Sequence, residues 1–209
     1  MPAAFPLPPP PDRAPAIPDP PRFDLWPEAL RSAERLRGSL VPCGPGLRGA
    51  GWPETPRVRI AALAPWLEHG AVAAHLTAAW VWGAARTPGR QLQVTTRARQ
   101  RRRQADTEWL RVYEFRYSEA ETHRFGAFDV TTPLRTVTDM LYAARPFGIV
   151  ERVACRLLCR EIEGGAATVL AELQDRRRPY RLHALRRFAE LGAAALNAAP
   201  NAPNGAEGG

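Results

Sequence analysis

Apolar and polar positions along this chain alternate between helical and extended spacing, and the sharpest change lies in VTTPLRTVTDML, Val130 to Leu141. There an extended segment turns helical within two residues. Thr132 is placed to cap the first turn with its hydroxyl, and Pro133 next to it has no amide hydrogen to leave unpaired. Leu134, Val137, Met140 and Leu141 then repeat at helical spacing as a buried stripe. Arg135 and Asp139 lie four apart on another face and read as a weak surface ion pair.

The same reading extends in both directions. Residues 1–23 are proline-dominated and predict a disordered arm. Asp24 can cap a helix to Arg37, with Leu25, Trp26, Ala29, Leu30, Ala33 and Leu36 on one side and Arg31, Arg35 and Arg37 mostly on the other. Gly38 ends it, and Ser39 to Gly51 reads as a small turn or hairpin around Leu40 and Val41. Thr55-Pro56 repeats the cap-then-proline signature, opening a helical segment to Leu67 with a break at Pro65. In HLTAAWVWG, His75 to Gly83, Thr77 can cap a short helix and Gly83 can end it in a left-handed turn.

Leu92–Thr96, Trp109–Tyr117 and Phe125–Val130 read as strands, the first two joined by a basic hairpin connection. Helices follow at Gly148–Glu161, Ala166–Leu173 and Arg181–Leu191. In the first of these, Val150, Val153, Ala154, Leu157 and Leu158 form the expected inner stripe, with Arg152, Arg156 and Arg160 outside. Gly192 fits the last helix stop. Residues from about 196 read as a frayed tail. The expected class is α+β, a small central antiparallel sheet with helices before and after it. The expected divisions are an arm at 1–23, an N-terminal segment at 24–53, a main domain at 54–195 and a tail at 196–209.

Composition changes this picture in one respect. The chain of 209 residues carries 29 basic side chains, a net charge of +8 and no lysine, so arginine excess alone follows from GC-rich coding. Placement is more telling. Arg97, Arg99, Arg101, Arg102 and Arg103 form one cluster, and Arg176, Arg177, Arg178, Arg181, Arg186 and Arg187 form another. Without these eleven arginines the net charge falls from +8 to −3, so the positive field is local, as a polyanion-binding surface requires.

Three cysteines, Cys43, Cys155 and Cys159, are too few and odd in number for a disulfide framework and fit a reducing compartment. Cys155 and Cys159 fall one turn apart, but no second ligand pair follows at a zinc spacing, and no metal or other cofactor is expected. The longest apolar run, Ala71 to Ala85, is interrupted by His75 and too short to span a bilayer, so the expected location is the cytoplasm, with no membrane partner. His75 beside a capping threonine reads as a structural histidine. No catalytic constellation is evident.

A helix followed by a small hairpin is the order in which a winged-helix domain presents its recognition helix and wing. Taken together, GSLVPCGPG after an arginine-bearing helix, AAHLTAAWVWGA, LQVTT with its arginine run, WLRVYEFRY and FDVTTPLRTVTDML resemble the AbiEi-type antitoxins of bacterial type IV toxin-antitoxin systems, over roughly residues 28–192. The most specific positions are His75, Thr77, Ala78, Ala79 and Gly83 in one motif, and Val130, Thr131, Thr132, Pro133, Arg135, Thr136 and Asp139 in the other. The resemblance implies an N-terminal winged helix that binds the promoter and represses its own operon. It also implies a C-terminal domain that counters a nucleotidyltransferase-class toxin without a stable complex. The space for two helices ahead of the recognition helix is taken by the proline-rich arm, so the winged helix is truncated. DNA attraction is then expected from Arg31, Arg35 and Arg37, from the 97–103 run, and from Arg177, Arg178, Arg181, Arg186 and Arg187.

Two other functions compete. Some relatives carry a restriction-endonuclease-like domain, for which Asp106 and Glu114 would hold a divalent metal and Arg116 would steady the phosphate. The other is a non-enzymatic interaction module with a degenerate DNA-binding end.

Overall fold

The computed structural model describes residues 18–67, 70–97, 107–115, 117–143, 147–175 and 179–192. The chain enters as structure earlier than its proline content suggests. Asp19 pairs with Arg57 at 2.8 Å, Arg22 lies over the Phe128 ring at 5.2 Å, and Phe23 is buried, so residues 18–23 are anchored rather than part of a loose arm. These side chains supply the contacts that a run of prolines cannot.

The expected helix from Asp24 to Arg37 is divided. A 3-10 turn spans Phe23–Leu25, and α1 (Glu28–Leu36) begins after Pro27. Asp24 does not cap it; its carboxylate accepts from Arg22 Nε at 2.7 Å. No residue of α1 is buried, and Leu30 and Leu36 face solvent. Next, β1 (Leu40–Cys43) and β2 (Gly46–Gly49) form a tight antiparallel hairpin, Cys43 opposite Gly46. At its turn Gly44 has φ +56°, a conformation that L side chains disfavour. The hairpin lies flat on the body. A Cβ on Gly46 would sit 2.3 Å from the Ala62 carbonyl oxygen, and one on Gly44 would sit 2.8 Å from the Trp80 ring.

Thr55 caps α2 (Pro56–Ala62), accepting from the Val58 amide; the break falls at Leu63, two residues before the expected Pro65, which lies within the first turn of α3 (Ala64–Leu67). Then comes β3 (Ala71–Ala73), which leads directly into α4 (His75–Val81). The helix starts two residues before the expected cap, so Thr77 lies inside it. Gly83 at φ +87° closes it in the left-handed turn foreseen.

β4 (Leu92–Arg97), β5 (Leu110–Phe115), β6 (Thr122–Phe125) and β7 (Phe128–Thr131) complete a five-stranded sheet in the order β5-β4-β3-β7-β6. Its α+β class is as expected, but the sheet is mixed rather than antiparallel. β3 runs parallel to β7, and β4 runs parallel to β5 with Leu92 opposite Leu110 and Arg97 opposite Phe115. A parallel pair cannot be closed by a hairpin, so the expected hairpin connection between these two strands is not what joins them. The third expected strand is a β6–β7 hairpin, across which Asp129 accepts two hydrogen bonds from Arg124 at 2.8 and 2.9 Å.

α5 (Pro133–Tyr142) runs through the middle, with every residue from Arg135 to Leu141 buried. α4, α6 (Ile149–Arg160), α7 (Gly165–Asp175) and α8 (Arg181–Glu190) pack around it. The inner stripe of α6 keeps the expected Ala154 and Leu158 but otherwise differs. Ala154, Cys155, Leu158 and Cys159 are buried, whereas Val150, Val153 and Leu157 face solvent, a rotation of the helix that follows from its packing on α5. One core joins Cys43 of the hairpin, Trp80 of α4, Leu141 of α5 and Cys155 of α6. Among the described residues, no helix is long and apolar enough to cross a membrane.

Candidate functional site

Because β3 and β7 are parallel neighbours, with Val72 opposite Asp129 and Ala73 opposite Val130, the helices that follow them start side by side. That topology brings the two sequence motifs together. His75 opens α4 at φ +49°, unusual for a residue with a Cβ. Its ring is 3% exposed and packs 4.4 Å from the Tyr113 ring. Burial lowers its pKa below the ordinary imidazole value, against the opposing pull of the Asp139 charge. Burial thus favours the neutral form of the ring.

Thr77 works as a clamp. Its hydroxyl donates to the Pro88 carbonyl at 2.8 Å and accepts from the Gln93 amide at 2.8 Å. Gln93 answers from β4: its side-chain oxygen accepts from the Leu76 amide at 2.9 Å, and its carbonyl accepts from the Ala74 amide at 2.9 Å. Ala74 offers no side-chain cap for α4, so a residue far along the chain satisfies the first turn. A lone glutamine in a strand gives no sequence signal for that role. The Trp82 indole donates to the Thr131 carbonyl at 2.8 Å, linking the end of α4 to β7.

At the second junction Thr132 accepts from the Arg135 amide at 3.3 Å, as its capping position predicts. Thr136 Oγ1 lies 2.7 Å from Thr131 Oγ1 and donates to the Thr132 carbonyl at 2.8 Å. The Arg135–Asp139 pair is a correction to the surface reading. Arg135 is 2% and Asp139 3% exposed, with Arg135 Nε donating to both carboxylate oxygens at 2.9 and 2.8 Å. Arg135 also donates to Glu121 Oε1 at 2.8 Å and lies 5.9 Å from the Tyr117 ring centre. Burial pulls its pKa down, but the Asp139 charge and the bonds to both carboxylates more than offset this, so it stays a cation. Glu121 reaches it from a turn capped by Ser118, whose amide donates to the other Glu121 oxygen at 2.8 Å. The Ser118-x-x-Glu121 spacing is a capping-box signature that sequence reading could have used.

This junction is a tie between elements. A pocket of about 30 Å³ beside it, touching His75, Gln93, Tyr113 and Glu151, has room for little more than one water. Glu114 of the nuclease reading is exposed on β5, while Asp106 and Arg116 lie outside the described residues. No group of three or more His, Cys, Asp or Glu is placed to hold a metal among the described residues. Cys155 and Cys159 are core thiols. Burial pushes Cys159 and Cys43 up to about 11 and raises Cys155 as well, so they stay protonated.

The expected DNA-contacting arginines divide sharply. Arg31 pairs with Glu28, and Arg37 with Glu34 at 2.5 Å, while Arg35 is exposed. Arg97 ends β4; Arg99, Arg101, Arg102, Arg103, Arg177 and Arg178 lie outside the described residues, as does Arg176. Arg181 and Arg186 are exposed on α8. Arg187 is withdrawn from the surface. It is 7% exposed, donates to the Ala143 and Leu141 carbonyls at 2.6 and 3.2 Å, and lies 5.2 Å from the Phe147 ring centre, where it caps the end of α5. Burial lowers its pKa. Across the body, Arg22, Arg57, Arg59 and Arg124 each face a carboxylate. No protein-family model matches this chain, and neither a curated protein nor a solved structure matches it.

Proposed function

We propose that this chain is a DNA-binding, antitoxin-like regulator of the AbiEi type, acting in the cytoplasm to repress its own operon and to counter a nucleotidyltransferase-class toxin without a stable complex. The observation that carries the reading is the contrast between spent and open arginines. Arg22, Arg57, Arg59, Arg124 and Arg135 face carboxylates, whereas Arg181 and Arg186 stand exposed on α8 beside the basic sequence 176–178. Open cations on one element suit a phosphate backbone; spent ones do not.

The test is a titration of the DNA upstream of its own gene at two salt concentrations. Binding should weaken steeply between about 50 and 200 mM salt, and Arg181→Ala with Arg186→Ala should flatten the slope by about one for each phosphate that is no longer neutralised. Absence of binding at low salt removes the proposal.

A second reading is favoured by α1. Its apolar side is in water, Leu36 at 91% exposure, rather than packed within a winged-helix domain. That arrangement supports a non-enzymatic interaction module whose DNA-binding end is degenerate.

A further inference from the structure

The outer face of α6 holds four aliphatic side chains in water: Ile149 is 72% exposed, Val150 53%, Val153 44% and Leu157 40%. They share that face with Arg152, Arg156 and Arg160, because a helical turn places positions 149, 153, 156 and 160 close together. Val150, Val153 and Leu157 follow the three-then-four spacing on which a second helix packs.

The rim of this seam is basic. Arg152 reaches Glu190 only at 3.9 Å, Arg156 donates through Nε to the Leu191 carbonyl at 2.7 Å, and Arg160 is exposed at the helix end. A second copy of the chain would set three arginines against three arginines, with Glu190 beside Arg152 and Glu161 at the helix end to offset them only in part. A nucleic acid would meet the arginines but leave the aliphatic row without a match. The chain's own residues 193–209 follow Gly192, near Arg156, yet they hold a single leucine and a single glutamate. An acidic amphipathic helix matches both the apolar row and its charged margin.

We infer that the outer face of α6 is a docking surface for an acidic amphipathic helix of a partner protein. This inference is independent of the DNA reading, since α6 contributes none of the arginines on which that reading rests.

The probe is a fluorescent synthetic helix with leucines on its seam and glutamates beside it, compared with a version in which lysines replace the glutamates. The full chain carries a photo-crosslinking amino acid in place of Val153. The glutamate helix should bind at least about tenfold more tightly than the lysine helix at low salt and crosslink at position 153. Arg160→Glu should narrow that preference. Val153→Asp combined with Leu157→Asp should abolish binding while the circular dichroism spectrum is unchanged, because both side chains already face solvent. Equal binding of the two helices overturns the inference. So does a crosslink from position 153 to a second copy, to the chain's own residues 193–209, or to duplex DNA that displaces the helix.

Discussion

Arg135 shows how little the spacing of two charges reveals about their energetics. Four residues separate it from Asp139, which identifies the partner, but burial decides what the pair is worth. In water such a pair contributes a few tenths of a kcal/mol. At 2% and 3% exposure both charges depend on one another for solvation. Arg135→Met should therefore cost about 3–5 kcal/mol by leaving Asp139 buried and unpaired, while adding Asp139→Leu should recover most of the loss. Urea denaturation of the single and double variants measures both values. A single-variant loss below about 1 kcal/mol would mean that water reaches the pair. The burial was not legible in the sequence because it depends on Glu121 and Tyr117, which arrive from a separate turn. The neighbouring cap at Thr132 and Pro133 was legible, since it involves only residues three apart.

Among the elements, those fixed by local chemistry were readable and those fixed by pairing were not. Thr55-Pro56 and Thr132-Pro133 opened α2 and α5 as their capping chemistry requires, and Gly83 and Gly192 closed two other helices, α4 and α8. β3 escaped notice although it is the middle strand, because Ala71, Val72 and Ala73 are buried throughout and show no alternation. The parallel pairing of β4 and β5 depends on a connection that no local pattern encodes. α6 was helical as expected and Ala154 and Leu158 are buried as read, yet Cys155 and Cys159 take the inner places expected for Val150, Val153 and Leu157, because packing on α5 decides among side chains that compete for the same core. The hairpin offers the sharpest test at this scale. Gly46→Ala drives a methyl group into the Ala62 backbone and should cost about 1–3 kcal/mol, seen as a lower midpoint of thermal unfolding. Gly51→Ala, where a Cβ meets nothing within 4 Å, should leave the midpoint nearly unchanged. Equal midpoints would show that the hairpin is not held against α2.

At the scale of the molecule, net charge was readable and its distribution only partly so. Arg31 with Glu28 follows helical spacing, but Arg57 meets Asp19 and Arg187 meets Ala143 across long stretches of chain. Thr77, Thr132, Arg135, Thr136 and Asp139 are hydrogen-bonded where the sheet meets α4 and α5, so two motifs far apart in sequence meet at one place in the fold. The three thiols span the molecule from Cys43 on the hairpin to Cys155 and Cys159 on α6, all at 0–1% exposure in one core. They form a built-in labelling clock. A thiol-reactive dye should modify all three at one shared rate, set by opening of the whole chain. Faster labelling of Cys43 would instead reveal that the hairpin detaches as a unit of its own, leaving the helical half intact.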